Sequence, residues 1–265
     1  MTSSDASFDP LADISPATMP RFLGAALDYP GGTTIDWHRH ETGQLVHAVA
    51  GSMRLFTEST VVLLPPTMAV WVPPARTHRL EFSRPAAMRT LYVRPGDLPR
   101  TDRSCRVLAV SPLLRELILA VMPDTVPAMV SRRRRALFDL LAAELAEAPE
   151  VTLTLPLPGD DRIRPLAERA LADPGAVGSV TAWTATAAAS AKTVERLFRR
   201  QTGLTPSQWL RQARLMAAVA WLAEGRSVTT IALDLGYGTP SAFSYMFRRA
   251  LGVAPSRFLA GLATD

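Results

Sequence analysis

The sequence predicts an α+β chain, with a front of short β-strands folded into a sandwich or barrel and a rear that is helical throughout. Three observations carry this. Between residues 21 and 95 the runs QLVHAVA, MRLFT, TVVLLP, MAVWVP and RTLYVR are rich in Val, Leu and aromatics, and turn residues separate them at near-regular spacing. From residue 161 onward the apolar positions recur with a helical period, and glycines at 175, 203, 225, 236 and 252 mark the stops. One segment is also written twice: FRRQTGLTPSQW at 198–209 returns as FRRALGVAPSRF at 247–258.

At 265 residues the chain accommodates two domains, each with its own core. No apolar run approaches the ~20 residues that would span a bilayer, so no membrane partner is expected. Residues 1–20 lack a basic region followed by an apolar stretch and are read as a disordered lead rather than a secretory signal. Cys105 is the single cysteine, which excludes an internal disulfide and a cysteine-based zinc site and makes a cytoplasmic location the default. The charge is unevenly divided. Residues 1–159 hold 16 Arg against 16 Asp and Glu, whereas residues 160–265 hold 13 Lys and Arg against 8 Asp and Glu. The whole net charge of +5 therefore sits in the rear, which suits an anionic partner there.

Pro30-Gly31-Gly32, Gly51-Ser52, Pro65-Pro66 and Pro73-Pro74 supply the turns of the front domain, placed at 21–100. Residues 101–150 read as a helical segment and a candidate dimer interface. Its first helix, 111–122, has Ser111 as N-cap and Pro112 at the first helical position. Its second, 130–147, begins with Arg132, Arg133, Arg134 and Arg135. Consecutive arginines circle a helix rather than line one face, which suits a solvated surface or a dimer rim. VTLTLPLPGD at 151–160 reads as an extended linker. Behind it helices are expected at 161–172, 180–187, 191–201, 206–223, 228–235, 240–250 and 255–262, forming a domain over 161–265.

The duplication extends upstream of the arginines. Val194, Leu197 and Phe198 sit at i, i+3, i+4, and so do Phe243, Met246 and Phe247, giving each helix one apolar stripe to bury. The opposite strips hold Lys192, Glu195, Arg196 and Arg199 in one copy and Ser241, Ser244, Tyr245 and Arg248 in the other. A shorter helix and a turn precede each, VTAWTATAAASAK and VTTIALDLGYGTP. These align at an offset of 48 rather than 49, which predicts a second turn one residue longer and puts Ala188 where the second copy has Gly236. This is a helix-turn-helix arrangement, written at about 180–201 and 228–250, whose second helix can enter a major groove. The helix at 206–223 is of the right scale to hold two such units on successive grooves ~34 Å apart. A solenoid would need three or more repeats.

Residues 161–262 resemble the DNA-binding domain of the AraC family of bacterial transcription regulators, through S-x-x-T-V-E-R-L-F-R-R-Q-T-G-L-T-P, R-Q-A-R-L and I-A-L-D-L-G-Y-G-T-P-S-A-F-S-Y-M-F-R-R. The first copy departs at Trp183, Thr184 and Ala188, where Leu, Ala and Gly are usual. The resemblance implies base contacts from Lys192, Glu195 and Arg196, then from Ser241, Ala242, Ser244 and Tyr245. Arg199, Arg200, Arg248 and Arg249 are placed on phosphates.

All four histidines fall in one window, at 38, 40, 47 and 78. His38-x-His40 in an extended segment puts both imidazoles on one face. With Gln44 and His78 they form a plausible set for a divalent transition metal. His47 lies at opposite parity to Gln44 and is left out. The spacing of DWHRHETGQ and VPPARTHRL resembles the boxes of the cupin barrel, as found in AraC-family regulators including the NimR-type branch. By that resemblance the front is a cupin-like β-barrel with ligand positions at His38, His40, Gln44 and His78. Gln44 replaces the usual glutamate, and Ala75 the usual glycine. Three readings stand at this point: a bound metal, a metal-free pocket for an organic effector, and purely structural histidines. Trp37, Trp71 and Met53 are either pocket lining or core, core being the commoner role.

The expected molecule is a non-enzymatic, sequence-specific DNA-binding transcription regulator controlled by a small-molecule or metal effector. Its expected partners are promoter double-stranded DNA, the effector, RNA polymerase and a second copy of the chain. The alternative is a metal-dependent cupin enzyme, an oxygenase or isomerase, with a helical C-terminal domain.

Overall fold

The computed structural model describes residues 17, 19–98, 104–122, 131–151 and 154–258. The chain divides into two compact units, one of residues 1–57 and 64–152, the other of residues 58–63 and 153–265. Most of the expected lead, 1–20, lies outside the described residues. Its end is not a loose tail, since Met19 is buried and packs with Tyr92 and Leu23.

In the first unit, β1 (Phe22–Tyr29), β8 (Ala86–Val93), β3 (Gly43–Ala50), β6 (Met68–Val72) and β9 (Arg106–Ala109) form one antiparallel sheet in that order. In another sheet β4 (Met53–Phe56), β7 (His78–Phe82) and β2 (Thr33–His38) lie side by side. The expected closed barrel does not form among the described residues: the strands divide between two sheets in a sandwich-like arrangement, and the outer side of β9 is bonded to the backbone of residues 149–151. The expected helical segment at 101–150 also begins differently, because β9 extends the first sheet before any helix starts.

One face of that sheet is covered by α1 (Pro112–Ala120) and α2 (Arg132–Glu147). Leu45, Trp71, Leu91 and Leu108 from the strands pack with Leu114, Leu117, Ile118, Phe138, Leu141 and Leu145 from the helices. Trp71 thus belongs to this core and Met53 is buried, while Trp37 is exposed beneath the Arg79 guanidinium. The arginine run is not wholly solvated. Arg132, Arg133 and Arg135 are exposed, but Arg134 stacks on Phe22 and donates to the Val121 carbonyl at the end of α1, 3.3 Å away.

The second unit opens with β5 (Thr60–Leu64) and β10 (Thr154–Pro156), paired antiparallel. The expected linker at 151–160 is therefore partly a strand. Its prolines suggested extended chain, but the hydrogen-bonding partner lies some 90 residues back and leaves no local trace. Six helices follow: α3 (Arg164–Ala172), α4 (Val180–Ala185), α5 (Ala191–Thr202), α6 (Pro206–Ala223), α7 (Val228–Asp234) and α8 (Pro240–Leu251). Residues 255–258 are helical, and the rest of the expected last helix lies outside the described residues.

Local sequence sets these boundaries. Ser179, Ser190, Thr205, Ser227 and Thr239 each cap a helix by accepting a backbone N–H into the side-chain oxygen. Gly203 and Gly252 close α5 and α8 in the left-handed conformation. Val194, Leu197 and Phe198 of α5 and Phe243 and Phe247 of α8 are buried as their spacing demands, while Met246 is half-buried. Trp183 occupies its unusual place by stacking on Trp209 of α6, with ring centroids 5.9 Å apart and Phe198 against both.

The two turns correct one expectation. Residues 186–190 and 235–239 are of equal length, and the extra residue of the second copy lies inside α7, which has 7 residues against 6 in α4. Gly236 uses its φ of +76° to let Tyr237 N–H reach back to Ala232. The first turn manages without a left-handed residue, through Thr186 and Ala187 N–H groups bonded to the Trp183 and Thr184 carbonyls.

Candidate functional site: a DNA-reading surface and a histidine cluster

Burying one stripe of α5 turns the other outward. Lys192, Glu195, Arg196, Arg199 and Arg200 are all exposed. Glu195 accepts from Arg199 at 3.1 and 3.2 Å, the i,i+4 pairing a helix favours. That contact occupies the only acid of the strip. Among the described residues no ion pair engages Lys192, Arg196, Arg200, Arg248 or Arg249. On α8, Ser241, Ala242, Tyr245, Arg248 and Arg249 are exposed and Ser244 is half-buried. Tyr245 is 62% exposed, which leaves its ring and hydroxyl open to a partner.

In the first unit the histidines converge. His38 ends β2, His78 begins β7, and His40 follows in the loop, with β2 and β7 paired so that His38 faces His78 across a β-bulge. One ring nitrogen from each of His38, His40 and His78 lies within 4.8 Å of the others. His38 Nδ1 meets the Asp36 carbonyl at 2.6 Å and His78 Nδ1 meets the Arg76 carbonyl at 2.9 Å. A carbonyl only accepts, so both Nδ1 atoms carry hydrogen, and in the neutral ring the lone pair is then on Nε2. His78 Nε2 is buried with no hydrogen-bond partner. Burial, with the neighbouring His38 and His40 charges, pushes the His78 pKa down to about 3.

Gln44, on β3, stands opposite Tyr92 of β8, whose ring meets His40 edge-on at 5.0 Å. Gln44 Nε2 donates to Thr90 Oγ1, which leaves Oε1 buried without a partner. Sequence reasoning missed Thr90 and Tyr92; their alternation within RTLYVR, polar groups two apart on a buried strand, was the available signal. His47 takes the opposite face of β3, wholly buried and bonded to the Met68 carbonyl at 3.0 Å.

Ala75 shapes the approach to His78. Its φ is +61°, and its N–H donates to the His40 carbonyl at 2.7 Å, tying two histidine-bearing segments together. Ala75→Gly is expected to stabilise the first unit by about 0.5–1 kcal/mol, the relief of a left-handed alanine less the entropy of glycine. The urea midpoint should rise; Ala75→Val should lower it.

A β-rich sensor unit joined to a doubled helix-turn-helix defines the ligand-responsive, DNA-binding transcription regulators. Residues 20–155 match the model of the AraC-like ligand binding domain, and residues 183–261 match that of a helix-turn-helix domain. The chain is 33% identical over 227 residues to the HTH-type transcriptional regulator NimR of Escherichia coli K12, covering 86% of this chain and 83% of that one. It is 42% identical over 67 residues to the HTH-type transcriptional activator RhaS of Klebsiella pneumoniae, covering 25% and 24%. Overlay on ToxT from Vibrio cholerae covers 91% of this chain and 98% of that one at 10% identity and a TM-score of 0.37, too loose to carry an argument. The chain belongs to the AraC family of transcription regulators. No helix among the described residues is long and apolar enough to cross a membrane.

Proposed function

We propose that this regulator reads promoter DNA with the outer strips of α5 and α8 and senses a divalent transition metal through His38, His40 and His78, with Gln44 as an oxygen donor. The observation that carries the metal is the convergence of three imidazoles within 4.8 Å, two of which, His38 and His78, direct Nδ1–H at backbone carbonyls and so turn Nε2 lone pairs to the centre. The donor set fits a borderline ion such as zinc, nickel or iron rather than calcium or magnesium, which take oxygen shells. Such an ion would supply a fixed positive centre, and being held by neutral donors it would retain affinity for an anionic or carbonyl-bearing effector. Arg76 and Asp36 carbonyls orient the rings, and Tyr92 shields His40 from one side. Binding changes promoter occupancy to the extent that it favours one state of the chain over another.

The reading takes the front as cupin-like in its ligand chemistry and assigns regulation rather than turnover to it, in the cytoplasm and alongside RNA polymerase. A second copy would dock on the outer faces of α1 and α2, where Leu113 and Leu140 are 49% and 45% exposed.

Metal content of purified protein tests the sensor. About one ion per chain is expected, lost in His78→Ala and His38→Ala, with a footprint upstream of its own gene that changes when the ion is removed. A metal-free chain whose footprint answers to an organic compound would replace the metal by a pocket effector.

A further inference from the structure

A strut such as α6 sets the distance between two reading helices but leaves rotation about its axis to whatever else touches both. Among the described residues of the second unit, one such contact is the loop 173–178, between α3 and α4. It leaves α3, which is fastened to the first helix-turn-helix: the Trp183 indole donates to the Leu166 carbonyl at 3.1 Å, and Arg169 donates to Thr186 Oγ1. Asp173 Oδ1 folds the loop by accepting from the Gly175 and Ala176 N–H groups at 3.1 and 3.0 Å.

The far side of the loop lies on the second helix-turn-helix. Gly175 is so close to the Asp234 carbonyl oxygen, at the end of α7, that a Cβ there would overlap it. Arg214 of α6 spans the loop, Nε donating to the Pro174 carbonyl at 3.2 Å and Nη2 to the Gly178 carbonyl at 2.9 Å. That Nη2 and the Gly175 carbonyl oxygen are also the atoms nearest the side-chain position of Gly236, at 3.8 and 3.9 Å, in the turn that launches α8. One guanidinium therefore ties the strut to the loop and lies beside the second turn.

We infer that Arg214 and Gly175 are positioning residues that clamp the loop 173–178 against α6 and α7 and so set the angular phase between α5 and α8. This rests on the proposal that both helices read DNA. One base pair turns the duplex by about 34°, so a modest rotation of one unit shifts its preferred half-site by a whole step. A lysine at 214 keeps the charge but loses the fork that reaches two carbonyls at once.

Selection from random-sequence duplex DNA with the full chain tests this. The unaltered protein should recover two half-motifs at a single separation. Arg214→Lys and Gly175→Ala should recover the same half-motifs at separations spread over several base pairs. They should also lose about tenfold in affinity for the original separation while binding an isolated half-motif as before. Recovery of one unchanged separation by both variants overturns the inference. So does an equal loss on half-motif and paired DNA, which is what a purely structural role gives. If Gly175→Ala does not fold, Arg214→Lys decides alone. Recovery of only one half-motif by the unaltered chain would instead remove the two-headed reading itself.

Discussion

Arg196→Ala is expected to flatten the preference of the chain among DNA sequences, by roughly 5- to 150-fold at the base it reads, the 1–3 kcal/mol of a good side-chain-to-base pair. Arg196 projects from the exposed strip of α5 and forms no ion pair among the described residues, Glu195 being turned to Arg199, so its donor fork is available. Arg248→Ala should behave differently. Arg248 lies in the last turn of α8, and the role proposed for it is phosphate contact. Its loss should weaken all sequences alike and lower the slope of log affinity against log salt by about one. Titrations of each variant against matched and mismatched sites at several salt concentrations separate the two roles. An equal loss of discrimination in both would refute the division.

The second large effect is an acid weakness in the sensor unit. His47 is wholly buried, and burial, with repulsion from Arg115 and Arg89, lowers its pKa to about 4 against the bond to the Met68 carbonyl, which raises it. Above pH 6.5 the ring is neutral in folded and unfolded chains and its contribution is fully present. Below that the unfolded chain takes up a proton that the folded chain refuses until about pH 4, so stability falls with pH through this window. The cumulative loss is about 3 kcal/mol. His47→Asn keeps a donor for the Met68 carbonyl but does not titrate. Urea unfolding at pH 7 and pH 4.5 should show a smaller difference for it than for the unaltered chain, and an identical difference would dismiss His47 as the cause.

Features encoded within a few residues were the ones that sequence reasoning reached. The duplicated helices are marked by Ser, Thr and Gly at their ends and by apolar stripes, all of which act over one or two turns. Position 188 shows the limit. An alignment offset that grows from 48 to 49 says that a residue has been added, not on which side of a helix boundary it falls. It went into α7, which has 7 residues against 6 in α4 and is followed by Gly236 in the left-handed conformation. Strands β9 and β10 were missed for a different reason: each is short, and its identity lies in partners far along the chain.

The histidine cluster was legible as a set but not as a geometry. Alternation along a strand placed Gln44 and His47 on opposite faces. The bulge between Ile35 and His38, and the left-handed Ala75 that draws the His78 loop to His40, are properties of the packed sheet. So is the fate of Arg134, one of four like residues in sequence, which stacks on Phe22.

The stacked indoles of Trp183 and Trp209 give the first reading head an optical identity. Two such chromophores, stacked with centroids 5.9 Å apart, are expected to couple electronically and to give paired circular-dichroism bands that vanish when the contact opens. The second head is built around Tyr237, Phe243, Phe247 and Phe258, with no indole in the cluster, and is silent in that signal. Melting of one half of the reader can thus be watched by light alone, without a label, while the other half still holds.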